Sequence, residues 1–116
     1  MLYCCVNWEI RYYNERVWQL ILDLPPKLLA RYLHLADLMA EFGSNLGMPH
    51  TRSMGSGLLE LRVKASEGIA RVFYCTVVGK TIVILHVFVK KSQATPKKEL
   101  ELARRRMKEV MNNDAR

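Results

Sequence analysis

Apolar side chains in the first half of the chain recur at the spacing of amphipathic helices. Four of them between Val17 and Leu24 follow an i, i+3, i+4, i+7 pattern, and Asn14 precedes them as a suitable N-cap. This predicts a helix over 14–24. A longer apolar stripe over 26–42, which ends at Gly43, predicts a second helix. Because two prolines separate the stripes, the helices are expected to form an antiparallel hairpin.

The second half of the chain contains apolar runs with the length and composition of β-strands. Three such runs, over 58–64, 69–78 and 81–89, are separated by short turns that contain glycine. They predict an antiparallel meander. A looser alternation over 6–12 predicts a first strand, and an apolar face after Thr95-Pro96 predicts a final helix.

The order strand, helix, helix, three strands, helix predicts one α+β domain over residues 1–116. We expect an antiparallel sheet with the N-terminal helical hairpin and the C-terminal helix, which runs to about Met111, packed on one face. The other face should stay at least partly open. The Gly- and Ser-rich stretch 43–57 predicts a long irregular loop, a kind of segment that often carries function.

Basic residues inside the predicted strands indicate what the open face binds. A buried unpaired charge is very costly, so cations within apolar strands predict a side that is exposed to water. Side chains alternate between the two faces of a strand, and Arg62 therefore shares the open side with Glu60 and Lys64. Arg71, near the start of the middle strand, is expected to reach the same face.

The last predicted strand adds two more basic groups. His86 and Lys90 share a side with Ile82, Ile84 and Phe88, and the opposite side is wholly aliphatic. The aliphatic side is expected to face the helices, which places His86 and Lys90 on the open face. A concave face of Arg, Lys and His without carboxylates suits a phosphate-rich ligand.

Each of these residues also has a purely structural interpretation. Arg62 is suitably placed for a surface ion pair with Glu60 or Glu67, which would add little stability. A single histidine in a strand is commonly structural, and Lys90-Lys91 is equally compatible with a solvated strand end. The run Arg104–Arg106 is interpreted as a solvated helix face or as a surface for a partner.

Composition narrows the choice of ligand. The formal net charge is +7, and residues 90–116 hold nine basic and four acidic side chains. This excess favours nucleic acid or an acidic protein as partner. Three cysteines without CxxC or Cys/His spacing predict neither a disulfide framework nor a metal site, and no cofactor is expected. Without a basic leader or an apolar run of membrane-spanning length, the protein is expected to be cytoplasmic.

Three motifs together resemble the phage-derived Gp49-like group of HigB toxins, within the wider RelE/ParE toxin superfamily. They read PHTRSMGSGLLELR, GIARVFY and ILHVFVKKSQATPKKELELARRRM, and the resemblance covers about residues 40–111. It implies the RelE-like microbial RNase fold, in agreement with the predicted element order. It also implies a type II toxin that cleaves mRNA, commonly at the ribosome, by attack of the 2′-OH on the adjacent phosphate without a metal ion.

The resemblance implies roles for several residues. Arg71 matches the family's phosphate-binding arginine, Lys90 and Lys91 match a basic pair after the last strand, and Arg62 matches a basic position on the preceding strand. His86 is the side chain suited to acid–base work near neutrality. Further candidates for contact with RNA are His50, Arg52, Lys97 and Lys98.

The resemblance also implies partners, and one departure leaves alternatives open. The partners are a helix-turn-helix antitoxin of the HigA type, mRNA and the ribosome, with operator DNA bound only through the antitoxin complex and no membrane. The region 92–102 lacks the C-terminal Tyr or His of several RelE-type ribonucleases. The alternatives are a ParE-like toxin that acts on DNA gyrase and a basic module that binds RNA or protein without chemistry.

Overall fold

The part of the chain that the structure describes folds into five strands and three helices, and the predicted α+β class is confirmed. The computed structural model describes residues 8–44, 46–47, 50–90 and 96–114. The start of the predicted first strand at residues 6–7 and the expected cap at Thr95 lie outside these ranges. In chain order the elements are β1 (Glu9–Tyr12), α1 (Glu15–Leu22), α2 (Pro26–Phe42), β2 (Thr51–Gly55), β3 (Leu58–Ala65), β4 (Gly68–Val77), β5 (Thr81–Lys90) and α3 (Lys97–Asp114).

Local sequence signals place the ends of the first two helices. The Asn14 side chain accepts a hydrogen bond from the backbone N–H of Val17 at 2.9 Å, which caps α1. Pro26 opens α2, and Gly43 follows it with a φ of 109°, a left-handed value that favours glycine. A Cβ at Gly43 would also meet the Trp8 ring at 3.3 Å.

The sheet has the order β1-β5-β4-β3-β2 and is mixed. The meander of β3, β4 and β5 is antiparallel as predicted, but β1 pairs with β5 in parallel, from Glu9 with Thr81 to Tyr12 with Ile84. The expectation of a wholly antiparallel sheet is therefore wrong in this one pair. The whole helical hairpin and meander separate β1 from its partner, so no tight turn sets its direction.

The helices cover both faces of the sheet, whereas the sequence predicted all three on one face. The hairpin of α1 and α2 packs on the side that carries Leu61 and Val72. Helix α3 packs on the opposite side, where its Ala103 and Met107 meet Phe73. We call these sides the hairpin face and the α3 face. β4 is apolar on both sides, so both faces of the sheet are stabilised by a packed helix.

A bulge in β5 changes which side chains share a face. Phe73 pairs with His86, but the next residue, Tyr74, pairs with Ile84, which leaves Leu85 as an extra residue. Ile84 consequently faces the hairpin side, while His86 and Phe88 face the α3 side. The predicted grouping of Ile84 with His86 is therefore wrong, and so is the expected open position of His86, which is 8% exposed on the face that α3 covers.

Two arginines of the run 104–106 attach α3 to the sheet. Arg104 donates to the backbone oxygens of Met54 at 2.5 Å and Gly55 at 3.3 Å. Arg106 donates to the Leu85 backbone oxygen at 2.8 Å, and its guanidinium lies 4.7 Å from the centre of the Tyr13 ring. The interpretation of the whole run as a solvated face is thus wrong, and only Arg105 of the three is exposed.

The predicted loop 43–57 contains an additional strand. Residues 51–55 form the edge strand β2, which pairs antiparallel with Leu58–Leu61. The turn that joins them holds Ser56 and Gly57 at φ values of 56° and 90°, as a tight hairpin turn requires. The many glycine and serine residues around this turn predicted a loop, and the short strand beside the turn was therefore not predicted.

Glu67, in the turn between β3 and β4, holds the start of α2. Its Oε1 accepts hydrogen bonds from the backbone N–H groups of Lys27 at 2.9 Å and Leu28 at 3.2 Å. These are orphan donors of a helix N-terminus, so the carboxylate acts as a cap supplied by the sheet. Among the described residues the ion pair that was considered between Arg62 and Glu67 is not formed.

Candidate phosphate-binding site

Helix α3 leaves one end of its sheet face partly uncovered. At this end Arg62 of β3 pairs in register with Arg71 of β4, and Arg71 pairs with Phe88 of β5. Residues directly opposite in neighbouring strands point to the same side, so these three side chains form a row across the sheet. Arg62 and Phe88 are half-buried, and Lys64, one step along the same side of β3, is exposed.

A buried carboxylate lies in the next row and orients Arg71. Glu60 is 0% exposed and Arg71 is 3% exposed, and Nη1 of Arg71 donates to Oε1 of Glu60 at 2.9 Å. Arg52 of β2 approaches the same oxygen at 3.6 Å from a more exposed position. The expectation of a face without carboxylates is wrong here, because the two arginines make the burial of Glu60 possible.

His86 binds the first turn of α3. Its Nε2 lies 3.0 Å from Oε2 of Glu99, and its ring stacks on Phe88 with centroids 5.9 Å apart. The residue is 8% exposed, and its Nδ1 is buried with no hydrogen-bond partner in the part of the chain that the structure describes. These contacts fit the structural alternative for His86, since Glu99 occupies the nitrogen that would otherwise meet a substrate.

A cavity of about 360 Å³ opens at the sheet edge beside the arginine row. It is lined by Arg31 of α2, by His50, and by Arg62 and Lys64 of β3. The structure thus brings the candidates His50 and Arg62 together and adds Arg31 and Lys64, which were not among the predicted site residues. Lys64 was detectable because it shares a strand side with Arg62, but nothing in the sequence relates Arg31 to them.

The remaining candidates lie at the end of β5 and the start of α3. Lys90 pairs with Ile69 through its backbone, but its side chain and the whole of Lys91 lie outside the described part. Lys97 and Lys98 are exposed in the first turn of α3, next to Glu99. Of the residues that reasoning missed, Glu60 and Glu99 matter most, since each holds one of the predicted basic groups.

No helix within the described ranges is long and apolar enough to cross a membrane. Across those same ranges, no group of three His, Cys, Asp or Glu side chains is placed to hold a metal ion.

Comparisons with known proteins agree with this architecture. The family described as "Phage derived protein Gp49-like" matches residues 19–108, from the middle of α1 into α3. A solved structure, the crystal structure of the archaeal RelE-RelB complex from Pyrococcus horikoshii OT3, contains a similar chain with 19% identity and a TM-score of 0.50. The match covers 75% of this chain and 99% of that chain. No curated protein matches significantly.

At 19% identity the likeness to the solved structure shows the fold alone. The family match is broader evidence of kinship, because it includes the arginine row, the buried Glu60 and most of α3. It also confirms the Gp49-like part of the resemblance that the three sequence motifs indicated. The chain therefore belongs to the phage-derived Gp49-like family and has a RelE-like fold.

Proposed function

We propose that the protein is the toxin of a type II toxin–antitoxin system, of the HigB group, and that it cleaves mRNA. The observation that carries this proposal is the pairing of Arg62 with Arg71 on the uncovered end of the α3 face. Two arginines that are directly opposite on neighbouring strands, one of them oriented by a buried carboxylate, form a suitable cradle for a phosphodiester. Membership of the Gp49-like family and the RelE-like fold support the same function.

The proposed reaction is an internal transfer in RNA. The 2′-oxygen forms a bond to the adjacent phosphorus and loses its proton to a base, while the bond from phosphorus to the 5′-oxygen breaks and that oxygen gains a proton. The products are a 2′,3′-cyclic phosphate and a 5′-OH end. Arg62 and Arg71 would stabilise the extra negative charge of the phosphorane, and a single well-placed donor of this kind is worth about 10²–10³ in rate.

The proton transfers are the less defined part of the reaction. His86 stays a candidate only in a form of the protein in which Glu99 releases its Nε2. The exposed Lys97 and Lys98 and the pair Lys90-Lys91 are proposed to hold the RNA near this point, by contacts with its backbone. Catalysis without a metal ion is part of the proposal.

The proposed partners are an antitoxin, mRNA and the ribosome. The solved structural relative is a RelE-RelB complex, and by analogy this chain would be held inactive by its own antitoxin, for which a helix-turn-helix protein of the HigA type is the candidate. Operator DNA would be bound only through the antitoxin complex.

The test is induction of the chain in cells, followed by mapping of mRNA 5′ ends. We expect growth arrest and new 5′-OH ends within translated messages. Arg62→Ala should abolish both without loss of folding, because Arg62 is half-buried and has no ion pair among the described residues. The matched control is Arg16→Ala, which removes one charge from an exposed position of α1, on the other side of the sheet.

The alternatives give different results in the same experiment. Intact mRNA together with a DNA-damage response would indicate a ParE-like action on gyrase. Salt-sensitive RNA binding without cleavage, on or off the ribosome, would indicate a binding module. A folded Arg62→Ala variant that arrests growth as strongly as the original chain would contradict the proposed site.

A further inference from the structure

We propose that the cavity between α2 and β3 is a second anion subsite, which holds the backbone phosphate next to the one bound by Arg62 and Arg71. Its ligand is single-stranded RNA, so the inference rests on the proposed function. It extends that function to Arg31 and Lys64, which lie outside the three sequence motifs. The cavity measures about 360 Å³ and is lined by Arg31, His50, Arg62 and Lys64.

Two sets of contacts place these four residues, one between His50 and β3 and the other between α2 and the turn after β3. Strand β2 pairs with β3 only as far as Leu61, and the backbone N–H of Arg62 then donates to the His50 oxygen at 2.8 Å. Beyond this bond, within the described residues, no strand covers the outer edge of β3. Glu67 fastens the first turn of α2 to the end of β3, and Arg31 lies one turn further along that helix.

The four side chains differ from Arg52, Arg71, Arg104 and Arg106, which are held by protein groups on the α3 face. Arg71 and Arg52 contact Glu60, and Arg104 and Arg106 contact backbone oxygens. In the described ranges no ion pair or side-chain hydrogen bond is formed by the cavity residues, namely Arg31, His50, Arg62 and Lys64.

Among the described residues no carboxylate lines the cavity, and Glu67, which holds the helix beside it, is already engaged by two backbone donors. Like charges that converge without a counter-ion repel one another, and the repulsion is strongest where walls of low dielectric exclude water. A bound anion would relieve this repulsion. The cavity is therefore better matched to an anion than to any neutral ligand.

The position of Arg62 indicates that the anion belongs to a polymer with more than one anionic group. Arg62 belongs both to the row with Arg71 and to the lining of the cavity. A ligand that fills both places must present two anionic groups side by side, as a phosphodiester backbone does with one phosphate for each nucleotide. The half-buried Phe88 lies beside Arg71 on the side away from the cavity, where it offers a face for a base at the other end of the same RNA segment.

The test measures binding rather than cleavage. An oligonucleotide with 2′-O-methyl groups cannot react, so its affinity for the purified full chain can be followed across a range of salt concentrations. We expect Arg31→Gln and Lys64→Gln each to weaken binding about 3- to 10-fold and to reduce the slope of log K against log salt by about 0.7, the value for one lost contact with single-stranded nucleic acid. Arg16→Gln removes the same charge from α1, away from β3, and should leave the slope unchanged.

The outcomes separate this inference from the proposed function. If Arg31→Gln and Arg16→Gln bind the oligonucleotide alike, the subsite is refuted and the nuclease proposal stands. If the original chain binds RNA with the expected dependence on Arg31 but never cleaves mRNA, the subsite stands and the nuclease proposal fails. A chain that binds no single-stranded RNA at low salt refutes the subsite. Circular dichroism and thermal midpoints ensure that the variants compared are folded.

Discussion

Arg71 and Glu60 form a buried ion pair across the strands β4 and β3. Nη1 of Arg71 lies 2.9 Å from Oε1 of Glu60, and the two residues are 3% and 0% exposed. Such a pair contributes little net stability compared with apolar side chains, because both charges lose their hydration. The ion pair serves to fix the orientation of a guanidinium at the edge of the proposed phosphate site.

Removal of Glu60 should destabilise the protein strongly. In Glu60→Ala the guanidinium of Arg71 stays buried without its carboxylate, and breaking one partner of a buried pair costs about 3–5 kcal/mol. The free energy of unfolding in urea measures this loss. The double variant Glu60→Met/Arg71→Met should recover most of it, because both charges are gone. A double variant less stable than the single one would contradict this account.

Arg71 is expected to act through the shape of its guanidinium as well as through its charge. Arg71→Lys keeps the positive charge beside Glu60 but loses the planar fork that binds a phosphate with two donors. We expect mRNA cleavage to fall about 10²-fold while RNA affinity changes less, because the lost donor acts mainly on the phosphorane. Cleavage of one translated message, compared with binding of an uncleavable oligonucleotide, separates the two effects.

Local signals in the sequence were sufficient for the helices and for the meander. These helix ends depend on local contacts, namely the side chain of Asn14 and the backbones of Pro26 and Gly43, so the positions of these residues predicted the ends correctly. The face of α3 was not predictable in this way. An amphipathic helix shows which of its sides is apolar but not which face of a sheet it covers, and β4 offered an apolar side on each face.

The site was only partly predictable for a related reason. Arg62 and Arg71 share a face because strand alternation holds through β3 and β4, whereas in β5 the extra residue Leu85 reverses it. Glu60 was expected in water, yet it is buried because Arg71 of the next strand and Arg52 of β2 approach it. Contacts between strands of this kind depend on the register, which the alternation of a single strand does not contain.

The pair of His86 and Glu99 is expected to support the attachment of α3. Glu99→Gln keeps a hydrogen-bonding group but removes the charge beside the imidazole, and His86→Phe removes the contact altogether. We expect His86→Phe to lower the free energy of unfolding by about 1–2 kcal/mol, because Glu99 loses its partner at the sheet.

Cleavage assays decide whether His86 also transfers a proton. A His86→Phe variant that stays folded and retains cleavage within about tenfold would assign the residue to structure. A loss of about 10²–10⁴ with RNA binding intact would be the mark of a general acid or base. Lys108→Ala, which changes an exposed residue of the same helix that is given no contact with RNA, serves as the comparison.

Arg106 should contribute more to stability than its neighbour Arg105. Arg106→Ala loses the hydrogen bond to the Leu85 oxygen and the contact with the Tyr13 ring. These losses together are expected to cost about 1–3 kcal/mol in the free energy of unfolding. Arg105→Ala removes the same charge from an exposed position and should change stability by less than about 0.5 kcal/mol. Equal effects in urea denaturation would show that α3 is not anchored through Arg106.

A pair of buried tyrosines should make the fold sensitive to high pH. The hydroxyls of Tyr12 and Tyr32 lie 2.7 Å apart between β1 and α2, and burial raises the pKa of both phenols above the usual 10.0. In the unfolded chain they ionise near that value, so the stability that they contribute is complete below about pH 10 and is lost progressively above it. The loss is at most about 1.4 kcal/mol per pH unit for each tyrosine.

Tyr32→Phe tests this origin of the alkaline sensitivity. It should cost about 1 kcal/mol near neutral pH, because the Tyr12 hydroxyl loses its partner. It should also reduce the slope of unfolding free energy against pH above about pH 10, because one buried phenol no longer has to remain neutral in the folded state. Urea midpoints at several values between about pH 8 and about pH 11 give both quantities for each chain. If the stability of the original chain and of the variant declines in parallel, other groups cause the loss at high pH. The next groups to vary would then be the exposed lysines and the hydrogen-bonded pair of Tyr13 and Glu109.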